Sequence, residues 1–140
     1  MNITAAQVNE LRQMTGAGMM DCKKALVECN GDKEAAIEYL RKKGQKIAEK
    51  RADREASEGV VLSATTADHT YGAVIMLNCE TDFVGSNADF VGAAKNFLNI
   101  AVENRIKDIE ALKAFTIEGR TISELVTDLT AKTGEKVELK

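Results

Sequence analysis

Apolar positions recur at helical spacing from Ile3 to Leu40, in three short runs set apart by glycines. Thr4 and Gln7 form a capping-box pair: the Thr hydroxyl can accept from the Gln7 amide while the Gln side chain reaches back. Ile3 and Val8 flank that pair as a hydrophobic staple, and Val8 and Leu11 continue the apolar face. Gly16-Ala17-Gly18 breaks this first helix. A second is predicted from Met19 to Asn30, with Met19, Cys22, Leu26 and Cys29 on one buried stripe. Asn30-Gly31 reads as a stop and Asp32 as the N-cap of a third helix, which buries Ala36, Ile37 and Leu40 and ends at Gly44.

The period then changes. Gly59 to Thr66 is β-branched and strand-like, Ala67-Asp68-His69-Thr70 is a connection of hairpin length, and Tyr71 to Asn78 returns as a nearly all-apolar strand. Such a strand is expected to be covered on both faces. Ser86 with Asp89 predicts a helix start of capping-box type. Phe90, Val91, Ala94, Phe97, Leu98, Ala101 and Val102 form the stripe that packs this helix across the sheet. Asp108 opens a short helical turn through Leu112. Thr121 and Glu124 are a second capping box, followed by Ile122, Leu125, Val126 and Leu129 at helical spacing. Gly134 closes that helix, and Lys136 to Lys140 alternates like a strand, whose far edge asks for more chain or a partner. The fold class is therefore α+β: a small three-helix N-terminal bundle over 1–43, a charged linker over 44–58, and an antiparallel sheet covered by helices over 59–140.

Composition narrows the function classes. A formal charge of −3 argues against a nucleic-acid-binding surface spanning the whole protein. The stretch 41–58 is locally basic, with Arg41, Lys42, Lys43, Lys46, Lys50, Arg51 and Arg54, but acids are interleaved. A solvated, partly helical linker is the plainer reading of it, and a nucleic-acid or ribosome contact the sharper one. No apolar stretch approaches the ~20 residues of a membrane span, and the N-terminus lacks the pattern of a secretion signal. Cys22 and Cys29 lie two helical turns apart, roughly 10 Å, too far for a disulfide, and no CxxC pair exists. The cysteines read as small core fillers in a reducing cytoplasm.

Catalysis finds little support. A nucleophile needs a base, and His69 is the single histidine, far in sequence from every cysteine. Glu80 and Asp82 could be read as an acid pair of a hydrolase, but solvated loop carboxylates describe them better. Gly16-Ala17-Gly18 lacks the strand and the Lys-Ser/Thr of a phosphate loop, so no cofactor is expected. The unusual feature is the polar turn Asn78 to Gly85, which follows the apolar run Ala73–Leu77 and sets Asp82 beside Phe83. A large apolar group at the tip of a polar turn is costly unless its own core or a partner covers it. Composition alone favours Phe83 and Val84 folding back over the next helix; insertion into a partner is the alternative. Similarly, Met19 falls on the core stripe, whereas Met20 points about 100° away, to the core edge or to a partner.

Two longer runs carry a resemblance. Thr15 to Leu26 (TGAGMMDCKKAL) and Asn78 to Val84 (NCETDFV) are similar to the two signatures of the elongation factor Ts family, in the same order and with matching segmentation between them. The resemblance implies a ubiquitin-associated-like N-terminal module, a linker and the first core subdomain, with the second core half of the family absent. It implies a non-enzymatic function, guanine-nucleotide exchange on elongation factor Tu, GDP-bound or nucleotide-free, in the cytoplasm. The Thr81, Asp82, Phe83 and Val84 segment would dislodge Mg²⁺ from that partner, and Met19 and Met20 would grip its GTPase domain. Many relatives carry a basic residue where Gly85-Ser86-Asn87 follows Val84 here. The competing reading is a helix-binding adaptor that uses the three-helix module alone, without exchange activity.

Overall fold

The computed structural model describes residues 2–140. Three N-terminal helices are present: α1 (Ala5–Thr15), α2 (Met19–Glu28) and α3 (Lys33–Lys50). Thr4 caps α1 with the reciprocal Gln7 bonds expected of it, and Gly16, at φ 69°, ends it. Val8, Leu11, Cys22, Ala25, Leu26 and Ala36 form the buried centre of this bundle, with Ile3, Cys29, Ile37 and Leu40 packed around it.

Two expectations for the bundle need correction. Met19 is 59% exposed rather than buried. It opens α2 directly after its N-cap Gly18, and side chains lean toward the helix N-terminus, so Met19 projects past the end of the core. Gly44 does not end α3, which continues to Lys50. A Cβ at Gly44 would lie 3.0 Å from the Ala131 Cβ, so the glycine is there for a close helix crossing and not for a stop.

The sheet is built on the hairpin of β1 (Glu58–Thr65) and β2 (Gly72–Cys79), antiparallel with Val61 opposite Met76. In the turn, Asp68 accepts from the Thr66 and Thr70 hydroxyls and from the Thr70 amide, which holds its carboxyl far below the usual carboxylate range. β5 (Glu138–Leu139) pairs antiparallel with β2, giving the strand order β1-β2-β5. β2 is not covered on both faces, contrary to expectation. Ile75, Leu77 and Cys79 are buried, but Val74 is 67% exposed. Helices lie on one face of the hairpin, and the pleat turns alternate residues away from them.

Between β2 and β5 the chain forms α4 (Asp82–Gly85), α5 (Ala88–Glu103), α6 (Ile109–Ala114), a small unanticipated hairpin of β3 (Thr116–Ile117) and β4 (Arg120–Thr121), and α7 (Ile122–Thr133). α5 packs Phe90, Ala94, Phe97, Leu98 and Ala101 against the sheet, as its stripe predicts. Its N-cap is Asn87, not Ser86: Ser86 is the C-cap of α4, and its hydroxyl donates to the Asp82 carbonyl at 2.8 Å. Thr121 caps α7 with its expected reciprocal partner Glu124, and Gly134 at φ 72° closes it. α7 then packs against α3, joining the bundle to the sheet layer.

Candidate functional site

The turn after β2 is built from both ends. Cys79 is fully buried; burial pushes its thiol up, and Sγ reaches the Thr81 carbonyl at 3.1 Å. The chain then leaves the sheet at Glu80 and enters α4, a single helical turn, so the expected irregular turn is partly helical. Thr81 is its N-cap, although the bond from the Val84 amide to the Thr81 hydroxyl is long, 3.5 Å. Val84 is half-buried against the sheet core. Gly85 rests on the backbone of Gly59 in β1, where a Cβ would come within 3.2 Å. A side chain at Gly85 would press on that backbone and require it to give way by a few tenths of an ångström.

Sequence spacing did not indicate what holds the turn from below. Glu135, just past the end of α7, accepts from the Thr81 amide at 2.9 Å, the Glu80 amide at 3.1 Å and the Thr81 hydroxyl at 2.6 Å. Glu80 answers in the other direction by accepting from the Lys136 amide at 2.7 Å. Glu80 also faces Arg51 at 3.2 Å and Arg54 at 3.7 Å, and Lys136 Nζ donates to the Ala52 carbonyl at 2.7 Å. The end of α3, the signature turn and the 135–136 segment thus meet at one junction. The Lys136 amide, followed by the Arg51 guanidinium, holds the Glu80 carboxyl below the usual carboxylate range. Glu80 is therefore not the solvated loop acid that the sequence suggested: its side chain is only 14% exposed. No local motif marks Glu135, Lys136 or Arg51, because each acts across 29 to 56 positions of chain.

On this clamped base the outward residues stand in water. Phe83 is 85% exposed, the most exposed large apolar side chain of the described residues, and Asp82 beside it is exposed too. Phe83 does not fold back over α5, so the reading favoured by composition is not realised. Met19 and Met20, at 59% and 74% exposure, form a second apolar patch at the start of α2. Thr81 and Val84, both half-buried, form the base that carries Asp82 and Phe83.

Among the described residues no group of three or more His, Cys, Asp or Glu gathers to hold a metal ion. His69 lies in the β1–β2 connection with the turn-forming φ of 57°, away from Glu80 and Asp82. Among the described residues no helix is long and apolar enough to cross a membrane.

Known proteins resemble both halves of the chain. A family model described as Elongation factor TS matches residues 80–140, and one described as UBA/TS-N domain matches residues 3–40. A relative named elongation factor Ts from Christiangramia forsetii is 55% identical over 137 residues, 98% of this chain and 49% of the relative. Those of Bacteroides thetaiotaomicron and Amoebophilus asiaticus are each 51% identical over 139 residues, 99% of this chain, and 42% and 50% of their own lengths. The chain thus spans about half the length of the curated relatives it matches.

Proposed function

The chain belongs to the elongation factor Ts family, and we propose that it acts in the cytoplasm as a guanine-nucleotide exchange factor on elongation factor Tu. The observation that carries this reading is Phe83: a phenyl ring left in water on a turn whose base is held by half-buried bonds to Glu135. Fully burying such a ring in a partner's apolar slot is worth about 2–3 kcal/mol. Asp82, exposed on the same helical turn, would then reach the water and carboxylate network around the partner's Mg²⁺. Mg²⁺ bridges phosphate charge, so disturbing its shell weakens GDP. The Met19–Met20 patch offers the adaptable thioether surface that would keep the factor on the GTPase domain.

No bond is made or broken in this scheme, so the protein is not an enzyme in the chemical sense. Linkage requires that GDP weaken the factor as much as the factor weakens GDP. A coupling of 1000-fold corresponds to about 4 kcal/mol, toward which Phe83 and Asp82 contribute to the extent that they engage the partner better without GDP than with it.

Release of fluorescent GDP from elongation factor Tu tests the proposal. The wild-type chain accelerates release; Phe83→Ala lowers the maximal rate by about tenfold or more, and Asp82→Ala lowers it with a smaller effect on half-saturating concentration. Release unchanged at saturating chain would remove the exchange reading. If the fragment 1–44 bound elongation factor Tu as tightly as the whole chain, the adaptor reading would replace it.

A further inference from the structure

We propose that Glu135 is a positioning residue for the Asp82–Phe83 turn, holding it before contact in the shape that enters the partner. The inference rests on the exchange reading above. α4 is one helical turn, and a helix of that length does not persist by its own hydrogen bonds. No residue of α4 is fully buried, and Phe83 packs on nothing that would fix its direction. The long Thr81–Val84 cap bond adds little order.

Glu135 provides what the turn lacks. One carboxylate takes the Glu80 and Thr81 amides on Oε1 and the Thr81 hydroxyl on Oε2, so three donors at the base of α4 share one acceptor group. Such charge-assisted bonds are the strong ones, and two of them fix backbone directly. The Glu135 backbone is itself fixed: its amide donates to the Thr133 hydroxyl at 3.2 Å, directly past the last turn of α7. The next residue, Lys136, returns a bond from its amide to Glu80. Both strands of the junction therefore hold each other, and α7 sets the direction in which Phe83 leaves the surface. A turn ordered in advance spares the ordering cost at the moment of insertion.

The test uses the full chain in the GDP-release assay together with amide hydrogen exchange on the free chain. Glu135→Ala is expected to speed exchange at the Glu80 and Thr81 amides while the β2 interior stays protected, and to lower the maximal release rate about tenfold. Glu135→Gln is expected to stay within about twofold of wild type, since its amide oxygen can take both N–H donors and its nitrogen can donate to the Thr81 hydroxyl. In a Phe83→Ala background, Glu135→Ala should add a smaller loss than in wild type, and with Asp82→Ala also present none, because it acts through those two side chains.

If Glu135→Ala releases GDP as fast as wild type while Phe83→Ala is slow, the positioning role is wrong and the exchange reading stands. Equal additional losses with and without Phe83 would show general destabilisation and overturn the proposal. Phe83→Ala indistinguishable from wild type would overturn the exchange reading, and this inference with it.

Discussion

Glu80 accepts from the Lys136 amide and faces Arg51 and Arg54, and its carboxyl lies below its ordinary value of 4.5 in the folded chain. Between the two values the unfolded chain binds more protons than the folded one, so this residue's contribution is complete above the unfolded value and lost as the pH falls through the folded one. Thermal unfolding followed from about pH 5 down to about pH 3 should show a smaller loss of Tm for Glu80→Gln than for wild type. An equal slope for the two proteins would mean that the junction does not depend on the ionised carboxylate. Little of this residue's role was legible in the sequence. Glu80 lies beside Asp82 in a polar run, and its partners come from positions 51, 54 and 136, which nothing in the local pattern connects. Phe83 was legible as an oddity and no further, since only the packed turn decides whether a ring after a strand covers its own core or faces water.

Among the elements, two glycines should respond to substitution in opposite ways. Gly59 has φ 139° at the start of β1, and a Cβ there would lie 2.1 Å from the Leu77 carbonyl oxygen of β2. Gly59→Ala should cost about 2–4 kcal/mol by denaturant unfolding, because backbone on both strands would have to move. Gly92, in α5, meets nothing within 4 Å, so Gly92→Ala should stabilise by about 0.5–1 kcal/mol through helix propensity alone. A neutral Gly59→Ala would refute the close seating of β1 on β2 and, with it, the support under Gly85. The capping boxes at Thr4 and Thr121 were legible because cap and partner are three residues apart and the chemistry is local. Gly44 was misread because its reason, the approach of Ala131, lies in another helix.

For the whole molecule, the continuous α3 links the bundle to the core. α3 crosses α7 at Gly44 and Ala131, and its end enters the junction through Arg51. A cleft of about 440 Å³ opens between the two, lined by Ile37, Leu40 and Gly44 on one side and Ile117, Leu125 and Ala131 on the other. Packing of this closeness predicts one cooperative unfolding transition. The ring signals of Tyr39, in the bundle, and Tyr71, beside the sheet, should report the same midpoint in urea, and Gly44→Leu should separate them by overpacking the crossing. Two midpoints in the wild-type chain would mean that bundle and core unfold as separate units.

Local pattern was enough to place the elements and most of their apolar faces: cap pairs, the stops at Gly16 and Gly134, the change from helical to strand period, and two signatures that resemble those of the elongation factor Ts family. These depend on residues within a turn or two of one another. It took the packed fold to show which carboxylates enter the junction, that Met19 and Phe83 face water, that α3 runs past Gly44, and that Glu135 bonds to the signature turn. Apart from Met19, whose exposure follows from its place at the start of α2, these depend on groups far along the chain, and local periodicity carries no record of where such groups meet.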